Sequence, residues 1–591
     1  MLKELCYPLD SNYVLRKKKS LKKKLEEFDI LFEKRVAILG GSTTNEIKNI
    51  LELFLLNVRI KPTFYESGFN NYYEEALFDT DKLLDFKPDI IIIHTTIINI
   101  ENSFDTIGYN SDVGTIIDTT FNKFHSIWRS LSKFDCPIIQ NNFDFPHARN
   151  LGNFDNYNKS GKTYIVNKLN LLFSDAALKN NNLFINDINY LSSHIGIQNW
   201  FDLSLWLNAR YALSLVAIPE LAQNICNIIN AVVGNNKKCL VLDLDNTCWG
   251  GVIADEGLEG IKIGHGDALS EAFTSFQMFV KELKKRGVTI CVCSKNDFDI
   301  AKQGFEHPES ILNFDDITLF KANWDPKDQN IREIANELNI GLDSIVFIDD
   351  NPFEREIVNS QIPSVCVPHV GNVLEFSKHI IANGYFEPIF LTDDDKKRNI
   401  YYKENQKRQN QLSKYSSYTE FLNSLKMVAE IKEFSSFYTD RITQLANKTN
   451  QFNLTTKRYT VSEIERITSN PRYISLYGKL SDIYGDNGLI ALIIASVSAK
   501  KCSIDLFLMS CRVLKRDMEF AMFDQFINLC KAKGILEIIG YYNESSKNKM
   551  VSNLFNELGF NLIKKQDKDT MWHLYISNYK SKNKTIKVNN E

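Results

Sequence analysis

Four short segments of the chain carry polar residues of the types that transfer phosphoryl groups. Residues 243–251 read DLDNTCWGG, residues 294–297 read SKND and residues 349–355 read DDNPFER. A further segment, NWDPK at 323–327, supplies a lysine between the last two. A single DxD after a strand is more often a turn or a helix cap than a catalytic pair. Four such segments in this order rarely arise by accident, so they predict one shared site.

Each role in phosphoryl transfer has a candidate side chain in these segments. The carboxylate of Asp243 can attack phosphorus and carry the phosphoryl group as an aspartyl-phosphate. Asp245, two residues on, can protonate the leaving oxygen and later deprotonate water. Lys327 would add a positive charge, and Ser294 a hydrogen bond, to the phosphoryl oxygens. These four residues are therefore predicted to be catalytic.

The same segments predict a metal ion. Four carboxylates in one site would repel one another and take up protons unless cations compensated them. Magnesium prefers oxygen ligands and supplies that charge. The predicted ligands are Asp243, Asp245 through its backbone carbonyl, and Asp349 or Asp350.

Alternating strands and helices are predicted to hold these segments in place. Near-continuous apolar runs are typical of strands that are covered on both faces, and ligands of doubly wound sheets bind beyond the carboxyl ends of the strands. An amphipathic helix begins near Ser270, which we predict as its cap, and Gly287 follows its end. The predicted strands are Cys239–Leu244, Val288–Cys293 and Ser344–Ile348, and the predicted helices are Ser270–Arg286 and Pro326–Leu338.

The length of 591 residues predicts three domains, because it exceeds what one core supports. Strand and helix patterns make all three α/β. The first contains strands at Arg35–Leu39 and Asp89–His94. The third contains strands at Ile490–Ser496, Ser503–Met509 and Ile535–Tyr541, and helices at Val513–Lys531 and Asn548–Leu558. The predicted domains are 1–230, 237–385 and 395–580, with a linker at 392–398 and a disordered tail at 581–591.

Composition excludes several classes of function. The net charge of −3 argues against nucleic acid or a membrane as the main partner. The N-terminal lysines precede no apolar core, and apolar stretches such as DIIIIH stop short of the roughly 20 residues of a membrane span. The eleven cysteines form no zinc-type CxxC pairs. Reduced thiols in a cytoplasmic protein are the expected state.

The central segment resembles the haloacid-dehalogenase (HAD) superfamily, and within it the FkbH-like branch, subfamily IIIC. The resemblance covers roughly residues 35–570 and implies a doubly wound parallel HAD-type sheet in the central domain. It is carried by VLDLDNTCWGGVIADEGLEGIKIG (241–264), NWDPKDQNI (323–331), FIDDNPFER (347–355), KTNQFNLTTKRY (448–459), LSDIYGDNGLI (480–490) and FLMSCRVLKRDME (507–519).

The resemblance implies a magnesium-dependent glyceryl transferase. Members of this family dephosphorylate 1,3-bisphosphoglycerate and load its glyceryl unit onto the phosphopantetheine thiol of an acyl carrier protein. Two alternatives stay open: a small-molecule HAD phosphatase without acyl transfer, and a non-enzymatic scaffold. Cys248, five residues after Asp243, is predicted as a transient thioester acceptor, with packing beside Trp249 as the competing interpretation.

The first domain resembles the SGNH hydrolase fold. Ser42 in GGST stands where a nucleophile would sit, and His194 in LSSHIG is a candidate base. SGNH enzymes have an acidic residue about three positions before the histidine, and this chain has Leu191 there. Without an orienting acid the pair lacks its third member. We therefore predict a non-catalytic domain that serves as a scaffold or docks the carrier.

The third domain resembles the GNAT acyltransferases, with SCRVLKRD (510–517) at their pyrophosphate loop. That loop normally has glycines, whose backbone N–H groups reach the phosphates. This chain has Lys515 and Asp517 at those positions. Coenzyme A is therefore a poorer expected ligand than the single phosphate of a carrier's pantetheine. Arg512 and Lys515 are the predicted contacts, with Arg516 adding a further cation.

Overall fold

The computed structural model describes residues 1–101, 113–392, 397–412, 414–545 and 547–589. The chain divides into two compact units, Met1–Val232 and Val233–Glu591. The second unit contains two sheets, so the arrangement in three domains stays a prediction. The linker predicted at 392–398 lies partly outside the described residues.

The first unit is built on a five-stranded parallel sheet in the order β2-β1-β3-β4-β5. Both predicted strands are confirmed: Arg35–Leu39 lies within β1, and Asp89–His94 overlaps β3. β3 is buried along its whole length, as an apolar strand covered on both faces should be. The strands are β1 Phe32–Gly40, β2 Ile60–Glu66, β3 Ile90–His94, β4 Ile138–Asn141 and β5 Leu183–Asn186. The helices are α1 Ser11–Leu25, α2 Asn45–Asn57, α3 Tyr72–Leu77, α4 Asp81–Phe86, α5 Ile98–Glu101, α6 Val113–Leu131, α7 Lys162–Lys179, α8 Ile188–Ile195, α9 Ile197–Trp200, α10 Leu203–Ala209 and α11 Ile218–Val232.

One helical stretch of this unit, Leu215–Val232, is long and apolar enough to cross a membrane by length and composition. This stretch was not among the segments predicted from the sequence. This stretch is 61% buried inside the protein, which is typical of a core helix. Its apolar side chains therefore serve the interior of the first unit.

The second unit begins with a four-stranded parallel sheet in the order β8-β7-β6-β9. Leu242 of β6 lies opposite both Val292 of β7 and Ile348 of β9, so the carboxyl ends of the three strands meet at one edge. The strands are β6 Cys239–Leu242, β7 Thr289–Ser294, β8 Leu319–Ala322 and β9 Ile345–Ile348. The helices are α12 Ile253–Gly260, α13 Ala268–Lys285, α14 Phe298–Gln303, α15 Lys327–Leu338, α16 Pro352–Gln361 and α17 Val373–Ala382.

The predicted helix at Ser270–Arg286 forms as α13, but its predicted cap is wrong. The side chain of Asp267 caps the helix, because it accepts hydrogen bonds from the backbone N–H groups of Leu269 and Ser270. The hydroxyl of Ser270 donates to Asp267 at 2.6 Å. At the other end, Gly287 has φ of 89°, the left-handed conformation that follows many helices.

The second sheet of this unit is mixed and runs β16-β17-β15-β14-β13-β12-β10-β18, with β11 paired to β14. Helix Val513–Lys531 was predicted too long at its start, since the corresponding α22 begins at Met518. The strands are β10 Val428–Glu433, β11 Phe452–Asn453, β12 Tyr473–Asp482, β13 Gly485–Ser498, β14 Lys501–Met509, β15 Glu537–Tyr542, β16 Asn561–Gln566, β17 Asp569–Tyr575 and β18 Lys587–Asn589. The helices are α18 Arg398–Leu412, α19 Tyr418–Ser424, α20 Thr439–Lys448, α21 Val461–Ser469, α22 Met518–Ala532 and α23 Leu554–Glu557.

The prediction of a disordered tail at 581–591 is wrong for the residues that the structure describes. β18 pairs in parallel with β10. The carboxylate of Asp524 accepts hydrogen bonds from the backbone N–H groups of Lys582 (3.1 Å) and Asn583 (3.0 Å). Ile586 is buried in the core of the sheet. A distant aspartate and a strand edge therefore order a segment that is polar and unpatterned in sequence.

Candidate active site

Three of the four predicted carboxylates come together at the carboxyl edge of the four-stranded sheet. Asp243 follows β6, and Asp349 and Asp350 follow β9, its neighbour. Oxygen atoms of these three side chains lie within 4.8 Å of one another. Asp349 is fully buried and Asp243 nearly so, while Asp350 is half-buried. The spacing and the donor atoms fit a magnesium ion, which takes carboxylate oxygens as ligands.

Lys327 lies between two of these carboxylates. Its ammonium is 2.8 Å from Oδ1 of Asp243 and 2.6 Å from Oδ2 of Asp349. Pro326 caps the start of α15, so the first residue of that helix carries the ammonium to the sheet edge. Burial alone would lower the pKa of Lys327, but the two carboxylates raise it above its usual value. The lysine therefore stays charged where a phosphoryl group would bind.

One ammonium does not balance three carboxylates. Burial, and then the charge of Asp243, raises the pKa of Asp349 to about 6 and also raises the pKa of Asp350. The guanidinium of Arg355 donates to the backbone oxygens of Asp349 and Asp350, each at 2.7 Å, and so orients this loop without pairing with either carboxylate. A divalent cation would remove the excess negative charge that the protein leaves in place.

The side chain of Asp245 is not part of the cluster. Its carboxylate accepts hydrogen bonds from the indole N–H of Trp249 at 3.0 Å, the backbone N–H of Ile253 at 3.1 Å and the amide of Asn296 at 2.9 Å. Burial is the largest influence on its pKa, which is raised. A carboxyl group that is held in place and protonates readily suits the predicted role of general acid. The side chain of Asp245 is outside the carboxylate cluster, so only its backbone carbonyl remains as the predicted ligand.

Ser294 ends β7 and is buried at the same edge of the sheet. Thr247 and Asn296 belong to the site but were not singled out from the sequence. The hydroxyl of Thr247 accepts a hydrogen bond from the backbone N–H of Asp350 at 3.2 Å, which joins the loops after β6 and β9. Both residues, like Arg355, lie inside the DLDNTCWGG, SKND and DDNPFER segments, so the motifs located them although their roles were not assigned.

Cys248 is buried beneath the site. Only 1% of its surface is exposed, and its thiol donates to the backbone oxygen of Asp243 at 3.2 Å. Burial, with the charges of Asp243 and Asp245, raises the pKa of this thiol well above its usual range. Trp249 and Cys248 belong to the same apolar core. This setting favours the packing interpretation, and the role of thioester acceptor stays a prediction.

In the first unit, Ser42 and His194 do not form a pair. The hydroxyl of Ser42 is buried without a hydrogen-bond partner among the described residues. His194 is exposed on α8 and stacks on Tyr190 at a centroid distance of 6.1 Å. A serine that is not hydrogen-bonded to the predicted base lacks the activation that a nucleophilic hydroxyl needs. The SGNH resemblance and the non-catalytic role of this domain stay predictions.

The loop at 510–517 contains two residues in the left-handed backbone conformation that glycine usually adopts, although neither is a glycine. Lys515 has φ of 63° and Asp517 has φ of 62°, both left-handed. Lys515 is exposed, and the guanidinium of Arg512 lies 4.5 Å from the ring centroid of Tyr401. Arg516 is not the available cation that the sequence suggested, because it is buried and lies 3.4 Å from the carboxylate of Asp482.

A short segment of the chain bridges β14 and β15 where the two strands diverge. β14 and β15 run parallel and pair only from Lys501↔Glu537 to Ile504↔Gly540. Beyond that point β14 pairs instead with β11. The backbone N–H of Leu454 donates to Phe507 at 3.1 Å, and its carbonyl accepts from Asn543, just after β15, at 2.9 Å. We call residues 452–455 the wedge segment, since they bridge the two diverging strands.

Comparisons with known proteins locate relatives of both units. The family described as "FkbH, N-terminal domain" matches residues 35–230. The chain is similar to the N-terminal part of the protein BF1531 from Bacteroides fragilis, which contains a phosphatase domain and is complexed with Mg. The identity is 32%, the match covers 63% of this chain and 99% of that chain, and the TM-score is 0.59. No protein of curated function matches the chain.

Two acetyltransferases resemble a shorter stretch. The ribosomal-protein-S18-alanine N-acetyltransferase from Escherichia coli is 11% identical over 25% of this chain and 94% of that chain, with a TM-score of 0.21. The PaiA N-acetyltransferase from Thermoplasma acidophilum, in complex with coenzyme A, is 18% identical over 25% of this chain and 98% of that chain, with a TM-score of 0.21. These likenesses are too distant to carry an argument, and the GNAT-like domain stays a prediction.

Proposed function

The chain belongs to the family of BF1531 and carries an FkbH N-terminal domain, and on that premise we propose that it is a glyceryl transferase that loads an acyl carrier protein. The general activity behind this proposal is that of a HAD-type phosphatase that uses Mg²⁺. The proposed substrate is 1,3-bisphosphoglycerate, and the proposed acceptor is the phosphopantetheine thiol of the carrier. A cytoplasmic location, without nucleic acid or membrane as a partner, is part of the same proposal.

One observation carries the phosphatase chemistry. The carboxylates of Asp243, Asp349 and Asp350 lie within 4.8 Å of one another at a sheet edge, with Lys327 between two of them. Bound Mg²⁺ would be held by these carboxylates and would supply positive charge beside the phosphoryl group. No other arrangement of three metal-binding side chains is found in the described part of the chain.

The residues of the site divide the removal of the ester phosphate into two steps. Asp243 attacks phosphorus and takes the phosphoryl group as an aspartyl-phosphate, while Asp245 gives a proton to the leaving alcohol oxygen. Asp245 then takes a proton from water, which attacks the same phosphorus and releases inorganic phosphate. Asp243 is regenerated. Lys327 neutralises phosphoryl oxygens throughout.

Glyceryl transfer is a separate displacement at carbon. The carrier's thiol attacks the carbonyl carbon of the acyl phosphate, a C–S bond forms, the C–O bond to phosphate breaks and the thiol proton is lost. The carbonyl carbon of an acyl phosphate is a good electrophile for a thiol. This step therefore needs an oriented carrier more than a strong base. The buried Cys248 supports direct transfer to the carrier over a relay through the enzyme.

A loading assay tests the proposal. The full chain is incubated with Mg²⁺, 1,3-bisphosphoglycerate and a carrier protein, and the carrier's intact mass is measured. We expect a glyceryl thioester on the phosphopantetheine-bearing carrier and none on the carrier without that group. Phosphate release without loading would favour the plain phosphatase. Neither activity would favour the non-enzymatic scaffold, and a reaction without the enzyme controls for uncatalysed acyl transfer.

A further inference from the structure

The first unit contains a cavity of about 400 Å³ that the phosphatase chemistry does not use. Gly41, Asn70 and Asn99 line it; Gly41 and Asn70 belong to the loops that follow β1 and β2, and Asn99 belongs to α5, the helix that follows β3. The cavity is therefore at the carboxyl edge of a parallel sheet, where doubly wound folds bind ligands. Its volume is that of a small-molecule site and exceeds what a single ion fills. Ser42 is not among the lining residues.

Two cations line this cavity. The ammonium of Lys123 donates to the hydroxyl of Tyr72 at 2.8 Å, and Arg210 lies 5.2 Å from the ring centroid of Trp206. Neither forms a salt bridge, with N···O within 4.0 Å, in the described ranges. Burial lowers the pKa of Lys123, although the charge of Glu74 opposes that effect. An anion placed between the two cations would therefore be stabilised by charges that form no ion pair among the described residues.

The remaining wall is largely aromatic. Phe69, Tyr72, Tyr73 and Trp206 all line the cavity. Lys123 lies 4.9 Å above the ring of Tyr72 and 5.0 Å above that of Tyr73, which holds the ammonium over a flat surface. Phe69 is 54% exposed and adds a further ring to this wall. Aromatic side chains bind planar groups by stacking, while the two cations favour a ligand that carries a negative charge.

We propose that this cavity binds a small organic anion, one with a phosphate or carboxylate group attached to a flat ring. The oxyanion would lie between Lys123 and Arg210, and the ring would lie against the aromatic wall. Glu74 is the one carboxylate among the described lining residues. Together with Lys123 and Arg210, it gives the lining of the cavity a net charge of +1. The site goes beyond the proposed transferase reaction and does not depend on it.

Four simple probes separate the contributions of charge and ring. Phenyl phosphate and benzoate carry both a ring and an oxyanion, phenol carries the ring alone, and inorganic phosphate carries the anion alone. Binding to the full chain is measured by isothermal titration and by intrinsic tryptophan fluorescence, in EDTA so that the carboxylate site holds no metal. We expect phenyl phosphate or benzoate, or both, to bind more tightly than phenol and inorganic phosphate. Their relative affinities distinguish a phosphate ligand from a carboxylate ligand.

Substitutions locate the binding. Lys123→Met and Arg210→Met should each weaken binding of the charged ring compounds about tenfold or more. Lys123→Arg, which keeps the charge, should retain most of the affinity and guards against a folding defect. Lys133→Met, which removes a surface lysine bonded to Thr80, should leave the binding of all four probes unchanged. Failure of every probe to saturate at millimolar concentration, equal binding of phenol, or insensitivity to both methionine variants would overturn the proposal.

Discussion

Two loops of the second unit follow strands that have a parallel neighbour, and one of them brings carboxylates and an ammonium together. The loop after β6 brings Asp243 beside Asp349 and Lys327. The loop after β14 holds Lys515 in solvent, and the wedge segment spans the gap between β14 and β15. Both loops have distinctive sequences. They differ in how the neighbouring strands continue.

The difference lies in strand register. β6 and β9 stay paired to their carboxyl ends, so residues from both strands must meet. β14 and β15 separate after four paired residues, and such a gap exposes backbone groups that need partners. The carbonyl of Phe507 and the N–H of Asn543 find theirs in Leu454. A motif after a strand therefore predicts a site well only where its neighbours remain in register.

The largest expected effect tests the loop after β6. Asp243→Asn should lower the rate of phosphate release on the order of 10⁴-fold or more, because an amide neither attacks phosphorus nor balances a metal's charge. Asp255→Asn, on the exposed first turn of α12, is the matched control and should release phosphate at the normal rate. Release by Asp243→Asn within tenfold of the unmodified chain would remove Asp243 from the mechanism.

Lys327→Met should lower phosphate release by about 10²–10³-fold, since a positive charge on the phosphoryl oxygens is lost. It also leaves Asp243 and Asp349 without their ammonium. Removing one partner of a buried ion pair costs about 3–5 kcal/mol, so the free energy of unfolding in EDTA should fall by that order. Lys321→Met, which breaks surface pairs with Glu333 and Glu337, should have a small effect on both measurements. Unchanged stability would show that Lys327 is not held between the carboxylates.

Asn453→Ala tests the other half of the comparison. Its side-chain oxygen accepts hydrogen bonds from the backbone N–H groups of Thr455 (3.3 Å) and Thr456 (2.9 Å). Leaving such groups unpaired in a buried segment costs about 1–3 kcal/mol, measured as the free energy of unfolding. Phosphate release should be unchanged. Asn556→Ala on the exposed face of α23 is the control, and equal stability of the two variants would mean that the wedge segment is dispensable.

Stability in the carboxylate cluster should depend on pH and magnesium together. In the absence of metal, the raised pKa of Asp349, about 6, means that protonation stabilises the folded chain at low pH and that this stabilisation is lost as the pH rises through that value. Magnesium competes with the proton, so it should raise the melting temperature more at about pH 7.5 than at about pH 5. Asp349→Asn should remove most of the difference. Equal shifts at both pH values would contradict the metal assignment.

The smallest effect is expected at Cys248. Because its thiol is buried and its pKa is raised, Cys248→Ala should load the carrier at a rate within about twofold of the unmodified chain. A hydroxylamine-labile adduct on the peptide containing Cys248, together with lost loading in the variant, would instead establish the acceptor role. Cys366→Ala, in the same sheet region and half-buried, is the control.

The local pattern was enough to place the carboxylate cluster. Apolar runs predicted β6, β7 and β9 to within two residues at each end, and parallel strands that stay in register leave little freedom for the residues that follow them. Asp243, Lys327 and Asp349 could therefore be grouped without coordinates. The motifs also contained Asn296 and Thr247, whose roles depended on side-chain direction and so could not be read from spacing.

Contacts between distant segments decided the rest. The carboxylate of Asp245 is bound by Asn296, 51 residues further along the chain, and is not part of the cluster. Arg516 is withdrawn from its loop by Asp482, 34 residues earlier. The end of the chain is ordered by Asp524 and by the edge of β10. Local periodicity records which face of an element is apolar, but it carries no information on which remote polar partner a side chain will meet. That partner exists only once the strands and helices have packed.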